Sequence, residues 1–292
     1  MKYNAFIFFQ LFLILVSCAQ EQAIKTDEFI VKTDTMPLPK GLDSFITLKI
    51  GDYEIDIARF DKVSKFKGNI IILQGYNFPK HDWCEKAPDL CRKATAEGYC
   101  LIMPEMGKSI YADSFYEQTA AIFRNYPLRT WLTDTVFTHL QKYHNLLLPG
   151  QNNYLLGLST GAHGAVLIAL DQPELFSAVA ALSGDYDQSK IPEDKLTELF
   201  YGSYSTQKER WETIDNPTSR IKEWKTPIYL GHGIKDEVVP ADQTKLFYEE
   251  LSKIFDQDKI KINLPEKMGH DYKYWGSETD AILDFFGRNL KS

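Results

Sequence analysis

Short apolar runs alternate with longer amphipathic stretches along most of this chain. Runs of three to five mainly apolar residues predict buried strands at 70–73, 100–103, 154–158, 179–182, 228–230 and 260–264. Between them, longer helical patterns predict helices at 128–143, 162–170, 241–254 and 278–290. Parallel strands require crossover connections of this kind, so the alternation predicts an α/β fold, with a mostly parallel central sheet and helices on both faces.

Three segments depart from this alternation. Residues 44–60 alternate more regularly between polar and apolar types and predict antiparallel strands that lead into the sheet. The segments 105–127 and 184–226 are long insertions, which usually build the pocket above the strand ends. Most of the aromatic residues in the second insertion are predicted to form a small separate core beneath the loops: Tyr186, Phe200, Tyr201, Tyr204, Trp211 and Trp224.

A Gly-Leu-Ser-Thr-Gly motif at 157–161 joins a predicted strand to a predicted helix. A strand that turns abruptly into a helix strains its central residue, and the residues two before and two after must be small. Gly157 and Gly161 meet that requirement. The motif therefore predicts a nucleophile elbow that lifts the hydroxyl of Ser159 above the edge of the sheet, with the backbone amide of Thr160 directed at a developing oxyanion.

A serine hydroxyl is a weak nucleophile unless a base accepts its proton and a third group orients that base. In a fold with a nucleophile elbow, the acid and then the histidine follow the serine in chain order. Asp236 follows the run 228–230, and His270 follows the run 260–264. Both fall just past a strand end, so Ser159, Asp236 and His270 are the predicted catalytic residues.

Other residues compete for these roles. Asp185 and Asp187 follow the preceding strand and are the alternative candidates for the acid, although aspartates at such positions also form turns. His232 shares a loop with Asp236 and could contact the site. The other histidines are interpreted as packed or solvated side chains: His81, His139, His144 and His163.

The second oxyanion donor should come from the loop after the first central strand. Gln74, Gly75 and Tyr76 follow the run 70–73 there, and the backbone amide of Tyr76 is the predicted donor.

No cofactor and no metal site is predicted. The sequence contains no HExxH motif, P-loop or dinucleotide-binding glycine fingerprint. Asp185 and Asp187 are interpreted as solvated carboxylates in preference to calcium ligands. The net charge of −7 is spread along the chain without a basic block, which argues against a nucleic-acid partner.

Three cysteines follow residue 18. Cys84 and Cys91 are predicted to lie in a polar loop, and whether they form a disulfide is left open. Cys100 falls in an apolar run and is predicted to be a core residue.

At these motifs the chain resembles the α/β-hydrolase superfamily, and within it the putative-esterase group that includes esterase D (S-formylglutathione hydrolase) and feruloyl esterases. The resemblance covers most of residues 60–290 and rests on the stretches 103–113, 157–165 and 269–275. It implies an α/β-hydrolase fold and a Ser-His-Asp triad at Ser159, His270 and Asp236. The chain departs from the group at Thr160, where Met is common, at Ala162, where Gly is common, and at Gln74, where His often precedes the glycine.

The first residues have the layout of a secretory signal peptide. Lys2 precedes an apolar stretch at 6–16 that is too short to span a bilayer, and the small residue Ser17 follows. The sequence Leu-Val-Ser-Cys at 15–18 resembles the lipobox of bacterial lipoproteins, in which the cysteine becomes the lipidated first residue. We therefore expect a signal peptide at 1–17, a lipidated Cys18 and tether at 18–40, and one α/β-hydrolase domain at 41–292.

These observations together predict an exported, membrane-anchored bacterial lipoprotein that faces the periplasm or the cell surface. The predicted activity is that of a serine hydrolase cleaving small-molecule or polysaccharide-linked carboxylic esters through an acyl-enzyme. Membrane contact is expected through the lipid anchor only, and the oligomeric state is left open. The alternatives are a peptidase or acyltransferase of the same fold, or a non-catalytic surface binding lipoprotein.

Overall fold

A computed structural model describes residues 42, 44–58 and 66–291 of the chain. The predictions for the signal peptide, for Cys18 and for the tether lie outside these described residues.

The described residues form an eight-stranded sheet. The strands are β1 (Ile46–Ile50), β2 (Tyr53–Ala58), β3 (Gly68–Leu73), β4 (Tyr99–Pro104), β5 (Asn153–Leu158), β6 (Ala178–Leu182), β7 (Ile228–Gly231) and β8 (Ile260–Asn263). Their order in the sheet is β1-β2-β4-β3-β5-β6-β7-β8. β1 pairs antiparallel with β2, and β2 pairs antiparallel with β4, whereas all other neighbours are parallel. The predicted α/β-hydrolase architecture, including its antiparallel leading strands, is therefore confirmed.

The central strands are buried along their whole length, as continuous apolar runs require. Their register brings equivalent ends together, because Leu73 pairs with Gly157 and Leu158 pairs with Leu182. The carboxyl ends of β3, β5, β6 and β7 consequently meet at one edge of the sheet. In open α/β sheets, ligands bind at this edge.

The four predicted helices are all present, with ends that differ from the predicted ones by a few residues. The first of them begins as a π-helical segment, Trp131–Val136, and continues as α3. No helix in the described part of the chain is both long and apolar enough to cross a membrane. The helices are α1 (Asp82–Lys86), α2 (Pro88–Ala96), α3 (Phe137–His144), α4 (Thr160–Asp171), α5 (Lys195–Tyr201), α6 (Tyr204–Trp211), α7 (Asp242–Ser252), α8 (Tyr272–Ser277) and α9 (Thr279–Arg288).

Successive residues of each central strand belong alternately to one and the other of two large apolar clusters, as expected for a sheet covered on both faces. A third, smaller cluster joins the two insertions and includes Phe123, Phe200, Tyr201 and Trp211. The predicted satellite core therefore exists. Tyr186 and Trp224 belong instead to one of the large clusters.

The prediction of a polar loop around Cys84 and Cys91 is wrong. Both cysteines lie on helices, α1 and α2, and a disulfide joins them. Pro88 begins α2 at a position where the missing N–H of proline costs nothing, because the first N–H groups of a helix have no acceptor within it. In both short helices, charged residues lie between the buried ones. Cys100 is buried on β4, as predicted.

One buried arginine fixes the insertions above the sheet. Arg129 is 1% exposed; its Nε lies 2.6 Å from Asp171 Oδ2 and its Nη1 lies 2.7 Å from Asp215 Oδ1. Nη1 also donates to the carbonyl oxygen of Tyr111 at 2.9 Å. Because Asp171 ends α4 while Tyr111 and Asp215 lie in different insertions, this cluster joins both insertions to the body of the fold.

Candidate active site

The elbow serine has strained backbone geometry. Ser159 lies between β5 and α4 with φ of 55° and ψ of −128°, a conformation that costs a residue with a side chain about 1–3 kcal/mol. Its amide donates to the carbonyl oxygen of Leu182 at the end of β6, 2.9 Å away. The strain is thus maintained by the neighbouring strand, and it raises the serine above the carboxyl edge of the sheet.

The two motif glycines are required by close backbone contacts. A Cβ atom added to Gly157 would lie 2.1 Å from the carbonyl oxygen of Gly161, and one added to Gly161 would lie 2.1 Å from that of Leu73. Neither position has room for any other side chain, because such distances are far below van der Waals contact. The turn therefore depends on the glycine spacing seen in the sequence.

His270 and Asp236 are in direct contact. His270 Nδ1 lies 2.6 Å from Asp236 Oδ2, although the two residues are 34 positions apart. Their loops pack tightly: the Lys235 amide donates to the carbonyl oxygen of Met268, and a Cβ atom on Gly233 would lie 2.4 Å from that oxygen. The ring of His270 also packs edge-on against Trp275, which restricts its orientation.

The carboxylate of Asp236 is enclosed by donors. Its side chain is fully buried, and Oδ1 accepts from the amides of Val238 at 2.9 Å and Val239 at 2.8 Å. His232 Nε2 lies 3.2 Å from Oδ2, so the histidine that shares this loop does contact the site. Burial alone would raise the pKa of Asp236, but the hydrogen bonds from His232, His270 and the Val239 amide hold it well below its ordinary value.

Ser159 and His270 line the same cavity, which has a volume of about 890 Å³. Thr160 and Tyr76, the two predicted sources of oxyanion donors, line it as well. The rival acids are differently placed. Asp185 lines the cavity but interacts with Gln188 and His163, and Asp187 caps a short 3₁₀ helix at Gln188–Lys190. Among the described residues, the carboxylate paired with His270 is Asp236.

Two backbone amides are available beside the serine. A Cβ atom on Gly75 would lie 3.1 Å from Ser159 Cβ, so the loop that carries Tyr76 lies against the elbow. Thr160 is the first residue of α4, where the amide has no acceptor within the helix. Within the part of the chain that the structure describes, neither the Tyr76 amide nor the Thr160 amide is paired with an acceptor.

Gln74 organises the loop that carries Tyr76. Its buried side chain donates from Nε2 to the carbonyl oxygen of Lys80 at 3.0 Å and accepts from the hydroxyl of Tyr272 at 3.3 Å. Its own carbonyl oxygen accepts from the Tyr111 hydroxyl at 2.8 Å. Gln74 therefore closes the loop and links it to the helix after His270. This role of Gln74 was not predicted; the signal for it in the sequence is a polar residue at the end of a buried strand.

The arrangement suits acyl transfer. It combines a serine at a strained elbow that lines the cavity, an imidazole fixed by a carboxylate, and two amides with no acceptor among the described residues. No group of three or more His, Cys, Asp or Glu side chains in the described ranges is positioned to hold a metal ion.

Comparison with known proteins places the chain in a family. The profile of the putative-esterase family matches residues 71–286. The diacylglycerol acyltransferase/mycolyltransferase Ag85A of Mycobacterium tuberculosis is 22% identical in an alignment 244 residues long that covers 73% of this chain and 68% of Ag85A.

Solved structures of low sequence identity share the fold. An S-formylglutathione hydrolase from Agrobacterium tumefaciens superimposes with a TM-score of 0.66 at 16% identity, over 89% of this chain and 99% of that one. A ferulic acid esterase superimposes with a TM-score of 0.61 at 17% identity, over 85% and 98%. These findings confirm the resemblance predicted from the sequence. Because the family profile spans most of its length, the chain belongs to the putative-esterase family and is a carboxylic ester hydrolase with the α/β-hydrolase fold.

Proposed function

We propose that this protein is an exported serine esterase that uses Ser159, His270 and Asp236 as a catalytic triad. The observation that carries the proposal is the 2.6 Å contact between His270 and Asp236, made at a cavity that Ser159 also lines. A histidine that is held by a buried carboxylate and shares a cavity with a strained serine is the arrangement that activates a hydroxyl for attack on an acyl carbon.

In the acylation step, His270 accepts the proton of the Ser159 hydroxyl while Oγ attacks the ester carbonyl carbon. The carbonyl oxygen becomes an oxyanion that accepts hydrogen bonds from the amides of Tyr76 and Thr160. The tetrahedral intermediate then collapses, the bond to the alcohol oxygen breaks, and His270 gives its proton to that leaving oxygen. The acyl group remains on Ser159.

Deacylation repeats these steps with water as the nucleophile. His270 accepts a proton from the water, the second tetrahedral oxyanion forms at the same two amides, and Ser159 recovers its proton as the acid departs. Asp236 stabilises the imidazolium that forms in both halves. The donors that depress its pKa keep it ionised for this role.

The export and the lipid anchor are proposals that rest on the sequence of residues 1–18. We expect the full chain, produced in a bacterium, to partition with membranes. Replacement of Cys18 by Ala should release it into the soluble fraction, as measured by fractionation and immunoblotting. Retention of the variant on membranes would contradict the lipidated cysteine.

Acyl transfer to an alcohol is the second candidate activity, and the observation that favours it is the similarity to Ag85A, which is named as an acyltransferase. The same acyl-enzyme would then react with an alcohol instead of water. Product analysis in the presence of glycerol or glucose separates the two: an esterase releases mainly free acid, whereas an acyltransferase makes a new ester in most turnovers.

Hydrolysis of p-nitrophenyl esters, from acetate to long chains, tests the proposed function. We expect Ser159→Ala to lower kcat by at least 10³-fold because it removes the nucleophile. The control is Ser205→Ala, at an exposed serine on α6, which should retain wild-type rates. Wild-type turnover by Ser159→Ala would overturn the assignment.

A further inference from the structure

The walls of the active-site cavity differ in polarity. One part is apolar and includes Phe78, Ile110, Leu196 and Val239. Another part is polar and includes Thr160, His163, Asp185, Gln188 and Lys190. None of these polar side chains has a role in the triad, so their presence at the cavity needs a separate explanation.

The polar wall lies directly beside the nucleophile. The Ser159 amide bonds to Leu182, the last residue of β6, and Asp185 follows three residues later. His163, one turn into α4, has its Nδ1 2.8 Å from the carbonyl oxygen of Asp185. The helix that begins at the serine thus holds Asp185 in place next to the reacting centre.

Several polar atoms of this wall lack partners. Gln188 is 2% exposed and its Nε2 donates to Asp185 Oδ2 at 2.9 Å, but its Oε1 has no partner among the described residues. The hydroxyl of Thr160 is likewise buried without a partner in that part of the chain. The carboxyl of Asp185 remains 17% exposed at the cavity. Buried polar groups are seldom left unpaired, because each costs free energy without a hydrogen bond.

A ligand that both donates and accepts hydrogen bonds suits the polar groups of this wall best. The exposed part of the Asp185 carboxylate offers an acceptor, whereas the Lys190 ammonium offers donors. A hydroxyl group can pair with either kind. An ammonium ion only donates, so it could not pair with the Lys190 ammonium on the same cavity.

We propose that the natural substrate is an ester of a sugar or another polyol, and that Asp185 accepts a hydrogen bond from a free hydroxyl close to the scissile bond. Asp185 is then a specificity-determining residue, supported by Gln188. This inference rests on the proposed function, since it concerns the substrate of the same site. Burial raises the pKa of Asp185, and a hydroxyl donor offsets that cost for the carboxylate.

The test compares two esters that differ only in their hydroxyl groups, glycerol 1-monobutyrate and propyl butyrate. We expect the wild type to prefer the glycerol ester by about 10- to 100-fold in kcat/KM, the range for hydrogen bonds to a charged group. Asp185→Leu should reduce this preference at least tenfold. Asp185→Asn keeps the volume of the side chain and one acceptor, so it should reduce the preference less. This variant provides the test if Asp185→Leu does not fold.

Glu193→Gln is the matched control. It removes a negative charge from the same cavity, but at an exposed position, so the preference ratio should stay as in the wild type. Equal wild-type rates on the two butyrates, or a preference that persists in both Asp185 variants, would overturn the inference while leaving the esterase intact. A stronger preference for 2-aminoethyl butyrate that Asp185→Leu abolishes would overturn it in favour of a cationic substrate. Failure of all forms to cleave any ester would instead overturn the proposed function.

Discussion

Asp236 and Asp215 are both fully buried carboxylates, but their partners differ in kind. Asp215 pairs with the guanidinium of Arg129, whose charge is permanent. Asp236 is surrounded by the amides of Val238 and Val239 and by the imidazoles of His232 and His270. In the first cluster, the carboxylate therefore faces a cation whose charge does not change.

The second cluster is arranged for a charge that changes. Backbone amides and hydrogen bonds from imidazoles keep Asp236 ionised, so the carboxylate can stabilise positive charge that forms on His270 during a reaction. Arg129 has no such freedom: burial alone would lower its pKa, but Asp215 and Asp171 raise it above its usual value. Burial and pairing alone therefore do not distinguish a catalytic carboxylate, because the partner of such a carboxylate must also be able to change its charge.

Replacement of Asp236 by Asn should have the largest effect on activity. The variant keeps the shape of the side chain but loses the charge that stabilises the imidazolium, and it can favour the wrong tautomer of His270. We expect kcat to fall by about 10³- to 10⁴-fold, the range known for a triad carboxylate. Steady-state hydrolysis of p-nitrophenyl butyrate measures it. A loss of less than tenfold would mean that Asp236 is structural, like Asp215.

Replacement of Arg129 by Met should lower the stability of the protein strongly and change its activity little. It leaves Asp215 buried without its cation, which costs about 3–5 kcal/mol of the free energy of unfolding. Urea denaturation followed by fluorescence measures this loss. In buffer where the variant is fully folded, kcat should stay within a few-fold of the wild type. A thousandfold loss of kcat without loss of stability would show that the cluster participates in the chemistry.

Gln74→Leu should have an intermediate effect on activity. It removes the hydrogen bonds to Lys80 and Tyr272, so the loop that carries the Tyr76 amide loses its fixed geometry. We expect kcat to fall by about 10- to 100-fold with KM little changed, because an oxyanion donor acts mainly in the transition state. Tyr272→Phe removes only one of these bonds and should cost less. A rise in KM at constant kcat would place Gln74 in substrate binding instead.

The smallest expected effect is on stability in acid. The pKa of Asp236 is lower in the folded protein than in the unfolded chain, so its contribution to stability is present above the ordinary carboxyl pKa of about 4 and is lost as the pH falls toward the folded value. Urea titrations between pH 5.5 and pH 2.5 should show the wild type losing more stability than Asp236→Asn. Equal losses would contradict the depressed pKa.

Much of the fold could be predicted because its signals are local. The buried strands can be recognised in the sequence as apolar runs. The elbow requires Gly157 and Gly161 within a few residues of Ser159. The contact between His270 and Asp236 was a prediction from chain order and strand ends, and the structure brings the two together. Their catalytic roles stay predictions until activity is measured.

The remaining features depend on partners far away in the sequence. Arg129 looks like an ordinary surface residue of an amphipathic stretch, and its partners Asp171 and Asp215 are 42 and 86 residues away. Helices α1 and α2 were missed because their charged residues mask a short buried face that the disulfide completes. The polar wall around Asp185 could not be predicted because it forms only where the insertion 184–226 packs over α4.

The most direct test of the central claim is mass spectrometry after reaction with a fluorophosphonate. We expect one covalent adduct per chain, mapped to the peptide that carries Ser159, and at least 10²-fold slower labelling in Asp236→Asn because His270 is no longer held as a base. An adduct on a different serine, or no adduct on a protein that still hydrolyses esters, would contradict it.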